Sequence, residues 1–320
     1  MRNAWRTALV VLAVLSLVPL PAGAQDDAAA APRTAWGAPD LQGVWDFRTA
    51  TPLERPEEFA DIDVLTDEQA AEVIERLEQR WTQLAEGSES DPGAYNQFWF
   101  DYGTSVTDDR RTSLVVDPPD GRIPALTADG EARAAARRDR RRDHPADSWE
   151  DRGIAERCIL GFNAGPPMES SAYNNIMQVF QTPDHVVILN EMVNDSRIVP
   201  LDGRPHLPGH VEQWRGDSRG RWEGETLVID TANFTAKTAV RGSGPGLNLV
   251  EPLTRVDEAT LLYEYTVSDP ATFERPWSVA MPMKMSADPV FEYACHEGNY
   301  GMEGILAGAR ADEREAAEAR

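Results

Sequence analysis

Four side chains stand out as able to move protons or hold charge: Glu191, Arg197, Arg221 and His296. The last lies in EYACHEGNYGMEGILAGAR (Glu292 to Arg310), which sets Cys295 beside His296 and follows them with Glu297, Asn299 and Tyr300 among glycines. A cysteine next to a histidine suggests a thiolate and its base. Neighbours in an extended segment point to opposite faces, however, so the two would not meet. Cys158 is the only other cysteine. In an oxidising compartment an even pair reads as a bridge, and Cys158–Cys295 would close a loop long enough to stabilise the fold by about 4–5 kcal/mol. The bridge is the preferred reading, and it leaves His296 available for proton transfer.

Period-two alternation selects the acid. In HVVILNEMV, Val187, Leu189, Glu191 and Val193 share one side, and Val186, Ile188, Asn190 and Met192 share the other. Glu191 therefore sits among apolar neighbours and is the expected buried carboxylate. Burial favours the protonated form of a carboxyl group, the condition for a general acid or a poised base. His296 would exchange the proton, and Arg197 or Arg221 would stabilise developing negative charge. The competing reading is a buried ion pair between Glu191 and Arg197 with no catalysis.

Two further motifs are dense in polar groups. GDSRGRWEG (Gly216 to Gly224) reads as a hairpin in which Asp217 and Ser218 bond the turn, Gly220 takes positive φ and Trp222 packs on the sheet. It also reads as a rim offering Asp217, Arg219 and Arg221 to a ligand. Trp222 and Asp217 here, with Tyr293, Glu297, Asn299 and Tyr300 near the C-terminus, are the expected substrate contacts. HLPGH spaces His206 and His210 as metal ligands are spaced on a helix, but Pro208 and Gly209 break a helix, so zinc at this pair is the weaker alternative and no metal is expected. No phosphate-binding glycine loop, dinucleotide fingerprint or nucleophile elbow is present, and no cofactor is expected.

The elements that must position these groups are mostly strands. Thr66 with Gln69 makes a capping box for a helix from about Asp67 to Ala85, with Ile74, Leu77, Trp81 and Leu84 on one face. Thr127 starts a second, arginine-rich helix whose run RRDRRRDH reads as a solvated face. Between them a polar loop carries Tyr95, Phe98, Trp99, Phe100 and Tyr102, as a lid or as rings pinned to the core. From Ser148 onward short strands and tight turns follow one another, including IMQVFQ, TLVIDTANF, TLLYEYTV and VFEYACH. Leu227, Ile229 and Thr231 form one inner set, and Leu261, Tyr263, Tyr265 and Val267 another. This spacing predicts a mainly β protein, an antiparallel meander closing into a calycin-like barrel or a strongly curved sheet, with two or three peripheral helices. A hollow lined by Trp and Tyr would take the ligand.

The expected organisation is an export signal over 1–24, a disordered arm over 25–39, an extended and helical region over 40–147, the antiparallel β domain over 148–310 and a frayed tail over 311–320. The signal rests on Arg2 and Arg6, the apolar TALVVLAVLSLVPL and the small-residue site Ala22-Gly23-Ala24. It points to a periplasmic or secreted protein, with no membrane insertion after cleavage. Net charge is -23, and it becomes more negative once Arg2 and Arg6 are removed. Such a body repels phosphate backbones, so nucleic acid is not an expected partner; a small neutral or cationic molecule is.

The motifs LQGVW, TPLERP, RTSLVVDPPDGRIPALT, ERCILGFNAGPP, GDSRGRWEGETLVIDTANF and YACHEGNYGMEGILAGAR together resemble a widespread group of exported bacterial proteins of uncharacterised function. The likeness runs from about Asp40 to Arg310 and implies an exported β-rich protein, with no reaction or catalytic residue to transfer. From the residues alone the leading expectation is a cofactor-free acid–base enzyme, a hydrolase, lyase or isomerase acting on a sugar or aromatic. A lipocalin-like binding protein and an envelope scaffold without a pocket are the alternatives.

Overall fold

Ten antiparallel strands make one sheet in the computed structural model, which describes residues 32–86, 100–237 and 240–319. The strands are β1 (Gly43–Asp46), β2 (Val115–Asp117), β3 (Ile176–Gln181), β4 (His185–Asn190), β5 (Asp195–Pro200), β6 (Asp217–Glu223), β7 (Thr226–Ala232), β8 (Asn248–Arg255), β9 (Thr260–Ser268) and β10 (Trp277–Met285). Their order is β5-β4-β3-β1-β10-β9-β8-β7-β6, with β2 paired to β10. Two meanders, β3 to β5 and β6 to β10, are thus joined through β1. The ends β5 and β6 come together without a ladder. Gly220 of β6 lies so close to Leu201 and Val199 that a Cβ there would sit 2.6 and 2.9 Å from their side chains. Arg215 also reaches across to the Ser196 carbonyl. The result is the expected mainly β architecture, a nearly closed antiparallel barrel with three helices.

Alternation fills this barrel. Leu227, Ile229 and Thr231 of β7 are buried, as are Leu261, Tyr263, Tyr265 and Val267 of β9, the two inner sets legible in the sequence. Trp45, Met177, Ile188, Leu249, Leu253, Trp277, Met281 and Met283 complete the packing. Among the described residues, large side chains therefore pack the barrel interior where a hollow was expected. At about 25 cal/mol per Å² of apolar surface removed from water, this continuous cluster is the main source of stability.

Outside the barrel, α1 (Asp67–Glu86) begins at the reciprocal box in which Thr66 N donates to Gln69 Oε1 and Gln69 N to Thr66 Oγ1. A small satellite core of Phe59, Leu65 and Ala70 seats its first turns. Thr127 caps α2 (Ala128–Asp143) through Gly130 N. The arginine run is an exposed face, though Arg133 donates to Thr272 and Arg137 to the Gly242 carbonyl. A third helix, α3 (Tyr300–Glu318), is capped by Asn299 and buries no residue.

Several boundaries differ from expectation. The export signal and residues 25–31 of the expected arm lie outside the described residues, but 32–39 form a closed turn, with Thr34 N donating to the Ala38 carbonyl and Arg33 bridging Pro39. The barrel draws β1 and β2 from before residue 148, because a sheet with one missing central strand would leave two unpaired edges. VFEYACH is not a strand; after Met285 the chain is irregular up to α3. The expected frayed tail is instead the second half of α3. GDSRGRWEG is a strand followed by its turn: Gly220 lies inside β6, and Gly216 and Gly224 take the positive φ values. Among the described residues, no helix is long and apolar enough to cross a membrane.

Candidate functional site

The disulfide is the first long-range tie that the sequence indicated. Cys158 and Cys295 are bonded, with Cα atoms 5.7 Å apart and a separation of 137 in sequence. The alternation argument made for them had no strand to act on, so the pairing follows from the fold and not from that geometry. Beside the bridge, Tyr293 stacks on Tyr173 with ring centroids 6.4 Å apart. Asn299 donates to the Glu156 carbonyl at 2.8 Å while capping α3. Glu297 and Tyr300 are exposed.

The four residues expected to act together are committed to separate contacts. Glu191 follows β4, at the start of a tight turn, and its Oε1 accepts from Phe291 N at 3.1 Å. Val186, Ile188 and Asn190 are the buried set of β4, so the Glu191 side of the alternation faces away from the barrel axis. His296 is exposed. Arg221 is exposed and pairs with Glu223. Arg197 points inward and pairs with Glu251, its Nη1 and Nη2 lying 2.5 and 3.0 Å from the two carboxylate oxygens. The competing reading, a buried arginine–glutamate pair, thus has the right arginine and a different glutamate.

Glu251 is fully buried and also accepts from the Tyr263 hydroxyl at 2.7 Å. That hydroxyl in turn takes Met168 N as a donor at 3.1 Å. Burial pushes the Tyr263 phenol well up, and the Glu251 charge adds to it. Burial presses the Arg197 guanidinium down, but Glu251 outweighs this and the net direction is up. Both Glu251 oxygens, both Arg197 Nη atoms and the Tyr263 hydroxyl have partners, so the trio is a sealed structural unit.

Asp217 and Trp222 also serve the fold. Asp217 is buried and accepts from Leu207 N at 2.8 Å and from Arg219 at 2.6 Å. His206 lies between two carboxylates, with Nδ1 at 3.1 Å from Asp217 and Nε2 at 2.9 Å from Asp230. Both ring nitrogens are therefore occupied, and His210 is exposed. Among the described residues, no group of three or more His, Cys, Asp or Glu is placed to hold a metal ion. Trp222 packs half-buried against the barrel core.

A cavity of about 250 Å³ lies elsewhere, where α1 crosses the inner-facing residues of β9 and β10. Leu77, Arg80 and Trp81 cover it from α1, at the i, i+3 and i+4 spacing that shares a helix face. Tyr265, Val279 and Met281 form its barrel side, and Met168, Glu169, Ser170 and Arg241 come from loops. Trp81 stacks on Tyr102 at 5.8 Å and tilts against Phe100 at 5.5 Å. Beyond this aromatic wall a second lobe of about 310 Å³ is lined by Arg48, Phe100, Asp101 and Thr104. Tyr95, Phe98 and Trp99, the other rings of the expected loop cluster, lie outside the described residues.

Buried polar side chains hold these walls. Asn175 donates to the Asp101 and Ser171 carbonyls, both at 2.9 Å, and accepts from Ser171 N at 2.7 Å, joining the Glu169 segment to Tyr102. Ala50 N donates to the Ser105 carbonyl and Thr107 N to Thr51 Oγ1. Gly103 permits this close packing, since a Cβ there would lie 2.3 Å from the Thr49 backbone. On the cavity floor Glu169 pairs with Arg241 and accepts from the Tyr265 hydroxyl at 3.3 Å. Burial, then Glu169, pushes the Tyr265 phenol well up. Arg241 takes a left-handed backbone, φ 49°, a conformation found where a fold holds a residue against its preference. The residues of this cavity were mostly missed by sequence reasoning. Only the Leu77–Trp81 helix face and the Tyr102 ring were signalled.

A scan against protein-family models finds no match for the chain, and a search of curated proteins finds none either.

Proposed function

We propose that the protein is an exported small-molecule binding protein whose ligand occupies the cavity beneath α1. One observation carries this reading: the cavity has aromatic and aliphatic walls, and the charged groups on its floor already satisfy one another. Binding pockets combine apolar walls with a few placed polar groups. A general acid or base, in contrast, needs a titratable group free to reach the substrate. Glu169 is held by Arg241 and Tyr265, and Glu251 by Arg197 and Tyr263. The acid–base reading built on Glu191, His296, Arg197 and Arg221 has less support, because each contacts a different neighbour or solvent. The paired cysteines fit a periplasmic or secreted location.

Native mass spectrometry of protein purified from the exported fraction tests this. The wild type is expected to carry a small molecule that Trp81→Ala loses at unchanged fold, and the released molecule should be recovered unaltered after incubation with fresh protein. Retention of the molecule by Trp81→Ala would move the site elsewhere, and its chemical conversion would restore the enzyme reading.

A further inference from the structure

Resting on that binding reading, we infer that the ligand is a small carboxylic acid with an aryl or short alkyl body, bound as its anion. Among the described residues the cavity is lined by two arginines, Arg80 and Arg241, and by one carboxylate, Glu169. Arg241 pairs with Glu169. Among the described residues Arg80 makes no ion pair. On a chain of net charge -23 this leaves one uncompensated cation at the rim of the cavity.

A second, independent feature asks for an acceptor. The Trp81 indole nitrogen is buried, yet among the described residues it has no hydrogen-bond partner. An occupant whose acceptor displaces the atoms covering this nitrogen would satisfy it. Arg80 and Trp81 are consecutive on α1 and both line the same lobe, which places a cation and a neutral donor on one side of the occupant. Leu53, Leu114, Val279 and Met281 add apolar contact to the lining. A carboxylate with a hydrophobic body matches this combination.

Polarity also argues against the cationic member of the neutral or cationic class expected from overall charge. A bound cation would need an unpaired carboxylate, and Glu169 already accepts from Arg241 and from the Tyr265 hydroxyl. Size restricts the body. About 250 Å³ is below the 300–1,000 Å³ usual for drug-sized ligands, so a single ring or a short chain fits.

Titration calorimetry at neutral pH with benzoate, phenylacetate and hexanoate, each against its primary amide, tests the class. The acids are expected to bind about five- to tenfold more tightly than the amides, the range of one charge-assisted contact in a partly solvated site. Raising the salt concentration should narrow that gap. Arg80→Gln should bring the acids to the affinity of the amides and leave the amides unchanged. Trp81→Phe, which keeps a ring and removes the donor, should weaken acids and amides alike. Equal binding of acid and amide by the wild type, or acid binding indifferent to Arg80→Gln, would overturn the anion and leave the cavity as a binding site. Absence of binding by both series would overturn the carboxylate class. If, in addition, no molecule co-purifies in native mass spectrometry, the binding reading falls with it.

Discussion

Two Arg–Glu–Tyr trios occur on the same inner face of β9, one residue pair apart, and they behave differently. Arg197, Glu251 and Tyr263 form the first; Arg241, Glu169 and Tyr265 form the second. The tyrosines are two apart in sequence, so their rings lie on one side of the strand with centroids 5.8 Å apart. In the first trio the arginine and glutamate side chains are 8% and 0% exposed; in the second they are 42% and 25% exposed. Strands β5, β8 and β9 supply all of the first, whereas the second takes its ion pair from loops. The same chemistry is sealed in one place and open to a cavity in the other. Position in the barrel decides which trio is sealed and which lines a cavity.

The largest effect should come from the covalent tie, because Cys158 belongs to the long irregular segment that also carries Glu169. Cys158→Ser with Cys295→Ser should cost about 4–5 kcal/mol by denaturant unfolding. Hydrogen exchange should rise around residues 165–171 and leave β8 and β9 protected. Equal loss of protection in both trios would show that the bridge supports the barrel as a whole.

Next, Glu251→Gln should destabilise by about 3–5 kcal/mol by leaving Arg197 buried without its countercharge. Glu169→Gln should cost no more than about 1 kcal/mol, since solvent screens its pair. Similar costs for the two would remove the distinction drawn between the trios. Replacing Arg197 and Glu251 together by Met and Leu should restore most of the stability. Smaller again is the hydroxyl contribution. Tyr263→Phe should cost about 1–2 kcal/mol, because Met168 N and Glu251 both lose a buried partner, and Tyr265→Phe roughly half as much.

The smallest effect is on alkaline stability. Both phenols titrate above their ordinary value, so the native state keeps protons that the unfolded chain releases. Stability is therefore full below about pH 10, the unfolded tyrosine value, and falls as pH rises past it. Absorbance titration should find at least two of the seven tyrosines ionising only as the protein unfolds. Tyr263→Phe should remove one of them, and smooth titration of all seven in the folded protein would contradict the buried geometry.

Much of the fold was legible because it rests on local rules. The Thr66–Gln69 box, the Thr127 cap and the alternations of β7 and β9 each need only neighbouring residues. The same alternation in LNLVEPLTR aligns Leu249, Glu251 and Leu253 and marks Glu251 as a second buried carboxylate; Glu191, the one expected, is buried as well. Pro252, which has no N–H to donate, interrupts the β8–β9 ladder there without shifting its register and partly masks the signal. What the alternation of β4 did not convey is direction: Glu191 lies one residue past the strand, and the turn there carries its carboxylate to Phe291 N and away from the barrel axis.

The sequence by itself determined that this chain is acidic, rich in strands and able to join Cys158 to Cys295, and it assigned the inner faces of β7 and β9. Those properties follow from composition and from spacing along a single element. Only the tertiary structure decided which glutamate meets Arg197, that large side chains pack the barrel interior, and that α1 closes a cavity with Trp81 and Arg80 over Glu169 and Arg241. Such pairings join residues far apart in the chain, and packing selects among many arginines and glutamates that are locally equivalent.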